Sequence, residues 1–280
     1  GSLNSERFAL LAAEVFAQRK IRVVLLPGLV PTPFVSFCVS RHNCAAGIMI
    51  TASHNPKADN GYKVYWENGA QIVPPHDTGI ATCIAEAMAP WAEYGKVGGV
   101  AELLAAYAGG MTAKTGEIAT EYFAKVRERL CRHADANRAA SPVVYTAMHG
   151  VGGPWLLRAF EAFGLPRPVP VDEQMAPDPT FPTVAFPNPE EGAGALALAF
   201  AAAERCGATL VLANDPDADR LAVAERPRGG GPWRVLSGNE IGVLFADWEV
   251  RQFKRRHAGA NLPRAALLSS AVSSRMVAAL

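Results

Sequence analysis

Between residues 23 and 40 no side chain is charged, yet Pro27, Gly28, Pro31 and Pro33 interrupt the run. So apolar a stretch must be buried, and prolines so placed break a helix repeatedly, which excludes a single membrane-spanning helix. It divides instead into a β-branched strand over 21–26, a Pro-rich turn and a helix from Pro33 to about residue 40. Ahead of it, Phe8, Leu11, Ala12, Val15 and Phe16 recur at helical spacing. Behind it, an apolar strand over 45–50 runs into a polar turn. Helices alternating with short apolar strands indicate a sheet covered on both faces.

The pattern continues with a strand over 62–66 and a helix over 81–91. Gly and Ala dominate 95–110, where Gly98-Gly99 and Gly109-Gly110 bracket a short helical piece and mark a domain boundary. Beyond it the alternation restarts: helix 117–133, strand 142–147, a Gly-bearing turn over 149–153 and helix 154–163. A Pro-rich crossing over 166–189 leads to helix 193–205, strand 208–213, an acidic loop, strand 221–225 and helix 238–253. Lys254-Arg255-Arg256-His257 reads as a basic linker, after which a strand over 265–269 and a helix start over 273–280 open a third unit. The expected fold class is therefore α/β: successive α/β/α domains with mixed, mostly parallel sheets. They are expected at 1–110 and 111–253, with the truncated start of a third over 254–280.

Charge narrows the function classes. The chain has 27 Lys+Arg against 26 Asp+Glu, a net charge of +1, which advertises neither a nucleic-acid groove nor an acidic tail. Its 5 cysteines are scattered without a CxxC pair, which fits a reducing compartment, the cytoplasm, and argues against a disulfide framework. The first twenty residues carry Glu6, Arg7, Glu14, Arg19 and Lys20 in a helical pattern and show no secretory signal.

The sharpest local feature is Asn214-Asp215-Pro216-Asp217-Ala218-Asp219-Arg220, directly after an apolar strand. Carboxylates so crowded repel one another, and the ordinary remedy is a hard divalent cation; a solvated acidic turn is the competing reading. An EF-hand counted from Asp215 would need Gly and Glu where this chain has Arg220 and Arg226, so a calcium-sensor loop is excluded. Arg220 adds a fixed cation, a sensible neighbour if the metal's outer ligand is a phosphate.

The second feature is Thr51-Ala52-Ser53-His54-Asn55-Pro56-Lys57, followed by Asn60-Gly61-Tyr62-Lys63. Ser53 ends a strand, the usual place for functional groups in open α/β sheets. No GxSxG elbow accompanies it, so a hydrolase triad is not indicated, and a Ser/Asn/Pro turn is the plain alternative. Lys57 and Lys63 shift the balance, because a serine carrying about −1.5 to −2 phosphate charges needs cations nearby. A phosphorylatable serine and a carboxylate-bound Mg²⁺ on different domains imply phosphoryl transfer at an interdomain cleft.

Together with Val64-Tyr65 and Gly238-Asn239-Glu240, these motifs resemble the α-D-phosphohexomutase family of phosphoglucomutases and phosphomannomutases. The stretches Trp66-Glu67-Asn68-Gly69-Ala70-Gln71-Ile72, Phe181-Pro182-Thr183, Phe186-Pro187-Asn188-Pro189-Glu190-Glu191-Gly192 and Leu268-Ser269-Ser270-Ala271-Val272-Ser273-Ser274 look like its eukaryotic branch. That branch includes phosphopentomutase and glucose-1,6-bisphosphate synthase.

The resemblance implies an isomerase of carbohydrate metabolism. Ser53 would carry the phosphoryl group and help ligate Mg²⁺ together with Asp215, Asp217 and Asp219. Arg220 would neutralise charge, Lys63 would transfer a proton to or from the sugar hydroxyl, and His54 would orient the loop. His149 reads as a turn-stabilising residue. A sugar bisphosphate would be activator and intermediate, and phosphate would move between C1 and C6, or C1 and C5 of a pentose.

The implied partner is a small sugar phosphate, with no nucleic acid and no membrane, acting on a monomer or weak homodimer. Bisphosphate synthase, phosphopentomutase and phosphomannomutase activities are the enzymatic alternatives. A catalytically silent phosphoprotein is the non-enzymatic one. By the same resemblance these residues are an N-terminal part, without the sugar-reading loop and the last phosphate-binding domain, so turnover by the 280 residues alone is not expected.

Overall fold

The computed structural model describes residues 3–95, 98–189, 194–227, 229–257, 266–270 and 273–276. The chain opens with α1 (Ser5–Gln18), β1 (Val23–Leu25), α2 (Thr32–His42), β2 (Ala46–Ile50) and β3 (Tyr62–Trp66). Next come α3 (His76–Glu86), α4 (Val100–Ala106), β4 (Met111–Ala113), α5 (Thr115–Leu130) and α6 (Ala134–Asn137). The second half runs β5 (Val143–Thr146), α7 (Gly152–Phe163), β6 (Val169–Pro170), α8 (Asp172–Met175), α9 (Ala197–Cys206), β7 (Leu210–Asn214), β8 (Leu221–Glu225), β9 (Arg234–Val235) and α10 (Gly238–Arg256).

The sheets are mixed. β1 pairs in parallel with β4, and β2 pairs antiparallel with β3, Ile50 standing opposite Tyr62 and Met49 opposite Lys63. A five-stranded sheet of order β6-β5-β7-β8-β9 organises the second half, parallel from β6 to β7 and antiparallel from β7 to β9. Its core follows from period-2 alternation: Val211 and Ala213 on β7 and Ala222 and Ala224 on β8 are buried on one face. Small Ala199, Ala202 and Ala203 let α9 approach that face closely.

Several elements end where local chemistry dictates. The helix expected over 81–91 lies at His76–Glu86, because Pro75 precedes its first residue and Pro90 bars its continuation. β4 escapes the sequence pattern; its three residues find their place by pairing with β1. The basic run 254–256 is the last turn of α10 rather than a linker, and its cations face the negative end of the helix dipole. At the other end Ser237 and Glu240 form a capping box. Residues 266–270 form no strand, having no paired neighbour among the described residues, and Leu268 is 95% exposed. Residues 258–265, 271–272 and 277–280 of the expected third unit, and 190–193, which run into the helix expected from 193, lie outside the described residues, so only 273–276 of the expected helix start are described.

What positions the site is the seam between the two halves. Val30, Phe34 and Cys38 meet Ile118, Ala119 and Phe123, with Trp155 and Ala159 from α7 packed against them. Phe34 is 1% exposed, and its ring centroid lies 4.9 Å from Tyr122, 6.0 Å from Phe123 and 4.8 Å from Trp155. The Trp155 indole N–H donates to the Leu29 carbonyl at 3.0 Å, so the seam is also hydrogen-bonded. Truncating a large buried aromatic leaves a cavity as well as lost apolar contact, so Phe34→Ala should cost about 3–5 kcal/mol. Urea unfolding measures this, and a loss below ~1 kcal/mol, the scale of one aromatic pair alone, would contradict the packing.

Candidate active site

Ser53 lies just beyond β2, in a loop that closes on itself before β3. Its backbone N–H donates to Thr51 Oγ1 at 2.9 Å, and the Thr51 N–H donates to the Gly61 carbonyl at 3.1 Å. A Cβ at Gly61 would fall 2.1 Å from the Thr51 oxygen, so only glycine lets the two ends of the loop approach this closely. Ser53 itself has φ +52°, the left-handed region, which a non-glycine residue occupies only when its surroundings enforce it. Lys63 follows on β3, one residue into the strand.

The aspartate loop joins β7 to β8. Asp215 is 0% and Asp217 2% exposed. Asp215 Oδ1 accepts the Asp219 and Arg220 backbone N–H groups at 3.2 and 3.0 Å, folding the loop around its own first carboxylate. The Asn214 side chain donates to the Arg220 carbonyl at 2.6 Å, and Tyr145 donates to Asn214 at 3.0 Å, so the hinge of the loop is tied to β5. The 149–153 turn supports it from behind, since Val151 N–H donates to the Pro216 carbonyl at 2.8 Å. His149 is 3% exposed, with Nε2 2.8 Å from Thr183 Oγ1, a structural member of that turn.

The two loops meet. Ser53 Oγ lies 3.1 Å from Asp215 Oδ2, 3.0 Å from Asp217 Oδ1 and 3.2 Å from His54 Nδ1. The Lys63 ammonium donates to Asp217 Oδ2 at 2.7 Å and to Asp219 Oδ2 at 2.8 Å. Ser53, His54, Lys63, Asp215, Asp217 and Asp219 thus form one cluster, with Arg220 built into it through its backbone. Lys57 is exposed on the loop and lies outside the cluster. One residue of the cluster carries no sequence signal: Thr32, at the start of α2, donates from Oγ1 to Asp217 Oδ2 at 2.6 Å. It stands in an apolar stretch, and only the fold brings it to a partner 185 positions along the chain.

Oxygen atoms from the three aspartates lie within 4.8 Å of one another. All-carboxylate donors beside a hydroxyl suit a hard divalent cation such as Mg²⁺, and no soft ligand competes for the position among the described residues. Protonation follows the same geometry. Burial first, then the hydrogen bond with Asp217 and the charges of Asp217 and Asp219, pushes Asp215 up to about 8. Burial also acts upward on Asp217, but hydrogen bonds with Asp215, Lys63 and Thr32 outweigh it and hold Asp217 down to about 2. The pair therefore shares one proton. A serine hydroxyl has one proton to give, so a protonated Asp215 satisfies its contact by donating to Ser53 Oγ while Ser53 donates to Asp217. Burial lowers the Lys63 ammonium, yet its hydrogen bonds with Asp217 and Asp219 win and raise it, so it is firmly protonated in this arrangement.

A cation that binds both Asp215 and Asp217 must displace the shared proton. In chelator-treated protein, Mg²⁺ affinity should therefore rise about tenfold per unit from pH 6 toward 8, where Asp215 loses its own proton, and level off above. Calorimetry at several pH values measures this; an affinity flat from pH 6 to 8 would contradict the shared proton.

Comparison with known proteins identifies the family. Residues 2–90 match the phosphoglucomutase/phosphomannomutase alpha/beta/alpha domain I and residues 120–230 match domain II of the same family. Human phosphopentomutase is 47% identical over 279 residues, which cover 99% of this chain and 44% of that protein. Human glucose 1,6-bisphosphate synthase is 41% identical over 281 residues, covering 100% of this chain and 44% of that protein. The chain thus spans less than half the length of these curated relatives. A crystal structure of a Thermus thermophilus protein, described as a candidate phosphomannomutase, superposes with a TM-score of 0.68 at 26% identity, over 91% of this chain and 52% of that one. With the serine loop inside the first matched domain and the aspartate loop inside the second, the chain belongs to the phosphoglucomutase/phosphomannomutase family, the α-D-phosphohexomutases.

Proposed function

We propose that this chain is the phosphoserine- and metal-bearing part of a phosphosugar mutase, an intramolecular phosphotransferase of carbohydrate metabolism. The observation that carries the reading is the contact of Ser53 Oγ with Asp215 and Asp217 at 3.1 and 3.0 Å, made between residues 162 and 164 positions apart. A silent phosphoprotein would have no need to hold a strained serine against two buried carboxylates. The cytoplasm is the proposed compartment, on the strength of 5 unpaired cysteines.

In the proposed reaction Ser53 begins phosphorylated. The Ser53 Oγ–P bond breaks as a sugar hydroxyl oxygen bonds the phosphorus, giving a bisphosphorylated sugar. The sugar turns in the cleft, and its other phosphate returns to Ser53 Oγ. Asp215, Asp217 and Asp219 would hold Mg²⁺, which supplies positive charge against the phosphoryl oxygens when bound. Lys63 is positioned for the proton. In the first transfer the Lys63 ammonium gives its proton to the departing Ser53 Oγ and takes the one that the sugar hydroxyl loses; on the return it protonates the freed sugar oxygen and takes the Ser53 hydroxyl proton, so it ends each half-reaction as an ammonium. Arg220 adds fixed positive charge, and His54, 3.2 Å from Ser53 Oγ, orients the hydroxyl. Enzymes accelerate phosphate-monoester cleavage by up to ~10²¹-fold, so placement and electrostatics must supply on the order of 20 kcal/mol.

Pentose phosphates are the first substrates to test, because the relative named phosphopentomutase is 47% identical and the one named glucose 1,6-bisphosphate synthase 41%. The synthase reading keeps the same serine and aspartate loops and differs in the phosphate donor. The experiment is interconversion of ribose, deoxyribose, glucose and mannose phosphates by the full-length parent protein, with Mg²⁺ and a trace of sugar bisphosphate. Ser53→Ala should lose at least about 10³-fold in kcat, as loss of a covalent nucleophile does. Activity equal to the unmodified protein would sink the phosphoenzyme mechanism.

A further inference from the structure

Among the described residues, the side-chain partners of Asp217 outside its own loop all come from the first sixty-three positions: Ser53, Lys63 and Thr32. The first two belong to the serine loop and strand β3. Thr32 is different, since it is 3% exposed, stands at the start of α2 after Pro31, and belongs to neither motif. It holds Asp217 twice. Its hydroxyl donates to the carboxylate Oδ2 at 2.6 Å, and its backbone N–H donates to the Asp217 carbonyl at 2.9 Å. That N–H is one of the donors left unpaired at the beginning of any helix, so the N-terminus of α2 is docked on the loop backbone while the hydroxyl sets the carboxylate's rotation.

We infer that Thr32 is a positioning residue for the cation site: it fixes the Asp217 side chain in the orientation that lets one carboxylate face Ser53 with Oδ1 and the α2 and β3 donors with Oδ2. The inference rests on the reading of Asp217 as a cation ligand. Removing the hydroxyl keeps the backbone tie and the fold of α2, but leaves the buried Oδ2 with Lys63 as its donor from outside the loop and the carboxylate less firmly held in rotation. Outer partners of metal ligands act in this way, and their loss typically weakens metal affinity by about 10–100-fold. A purely structural threonine would instead lower melting temperature and leave affinity alone.

The experiment is Mg²⁺ binding by calorimetry on the full-length parent protein, with melting temperature recorded for each variant. Thr32→Val should bind Mg²⁺ at least about tenfold more weakly, and Thr32→Ser, which keeps the hydroxyl, should stay within about threefold of the unmodified protein. Thr32→Ala, which presses no added methyl against the carboxylate, should lose as much as Thr32→Val and guards against a variant that fails to fold. Unchanged affinity in the valine and alanine variants, whatever their melting temperatures, would overturn the inference. Asp217→Asn separates the two levels: if it loses Mg²⁺ while Thr32→Val does not, Thr32 alone is wrong. If it too binds normally, the ligand reading fails and takes this inference with it.

Discussion

Two carboxylates buried side by side are the constraint on which the rest of this molecule depends. Moving one ionised carboxylate out of water costs several kcal/mol even after relaxation, and Asp217, the member of the pair that stays ionised, is 2% exposed beside Asp215 at 0%. Asp215 Oδ1 is satisfied locally, by two N–H groups of its own loop, while its Oδ2 meets Ser53. Asp217 depends on donors beyond its own loop. Its hydroxyl and ammonium donors arrive from α2, the serine loop and β3, all in the first half of the chain. The aspartate loop can therefore exist in this form only when the two halves are packed together, and the aromatic seam around Phe34 does that packing. A net charge of +1 conceals this design, because a cationic lysine strand and an anionic loop cancel in the sum while facing each other in space.

Local strain serves the same end. Ser53 and Ala218 sit at φ +52° and +55°, and Met148 and His149 at +49° and +59° in the turn that backs the loop. Each such residue costs of order 1–3 kcal/mol and persists only where neighbours over-determine it. Here the neighbours are specific: Thr51 and Gly61 close one loop, Asn214, Tyr145 and Val151 brace the other. The reward is preorganisation. Dipoles and charges already aimed at the reacting group need no rearrangement when charge moves, which is usually the largest single source of electrostatic catalysis.

The chemistry-bearing loops are legible because their residues lie close in sequence. Serine, lysines and a Gly turn within a dozen positions, and alternating aspartates after an apolar strand, announce themselves. The strands Tyr62–Trp66 and Leu221–Glu225 are equally legible, being apolar runs with clear ends. Thr32 is not, since its meaning comes from a contact 185 positions away. β4 is hidden because three residues carry no period, and its strand character comes only from β1 beside it. The helix at 76–86 is misplaced by the sequence pattern because its residues bury nothing, leaving the flanking prolines, rather than a hydrophobic face, to set its limits. The basic residues 254–256 look like a linker because charge alone does not distinguish a solvated helix end from a coil.

In the proposed mechanism Ser53 and the three aspartates form one phosphoryl-handling site. The most direct test replaces Mg²⁺ with Mn²⁺ in full-length protein phosphorylated on Ser53 and measures the ³¹P hyperfine coupling to the electron spin. A strong coupling that vanishes on dephosphorylation and in Asp217→Asn is the predicted result. Mn²⁺ bound tightly with no coupling to the phosphoserine phosphorus would show that the serine and aspartate loops do not share a cation, and would contradict the account.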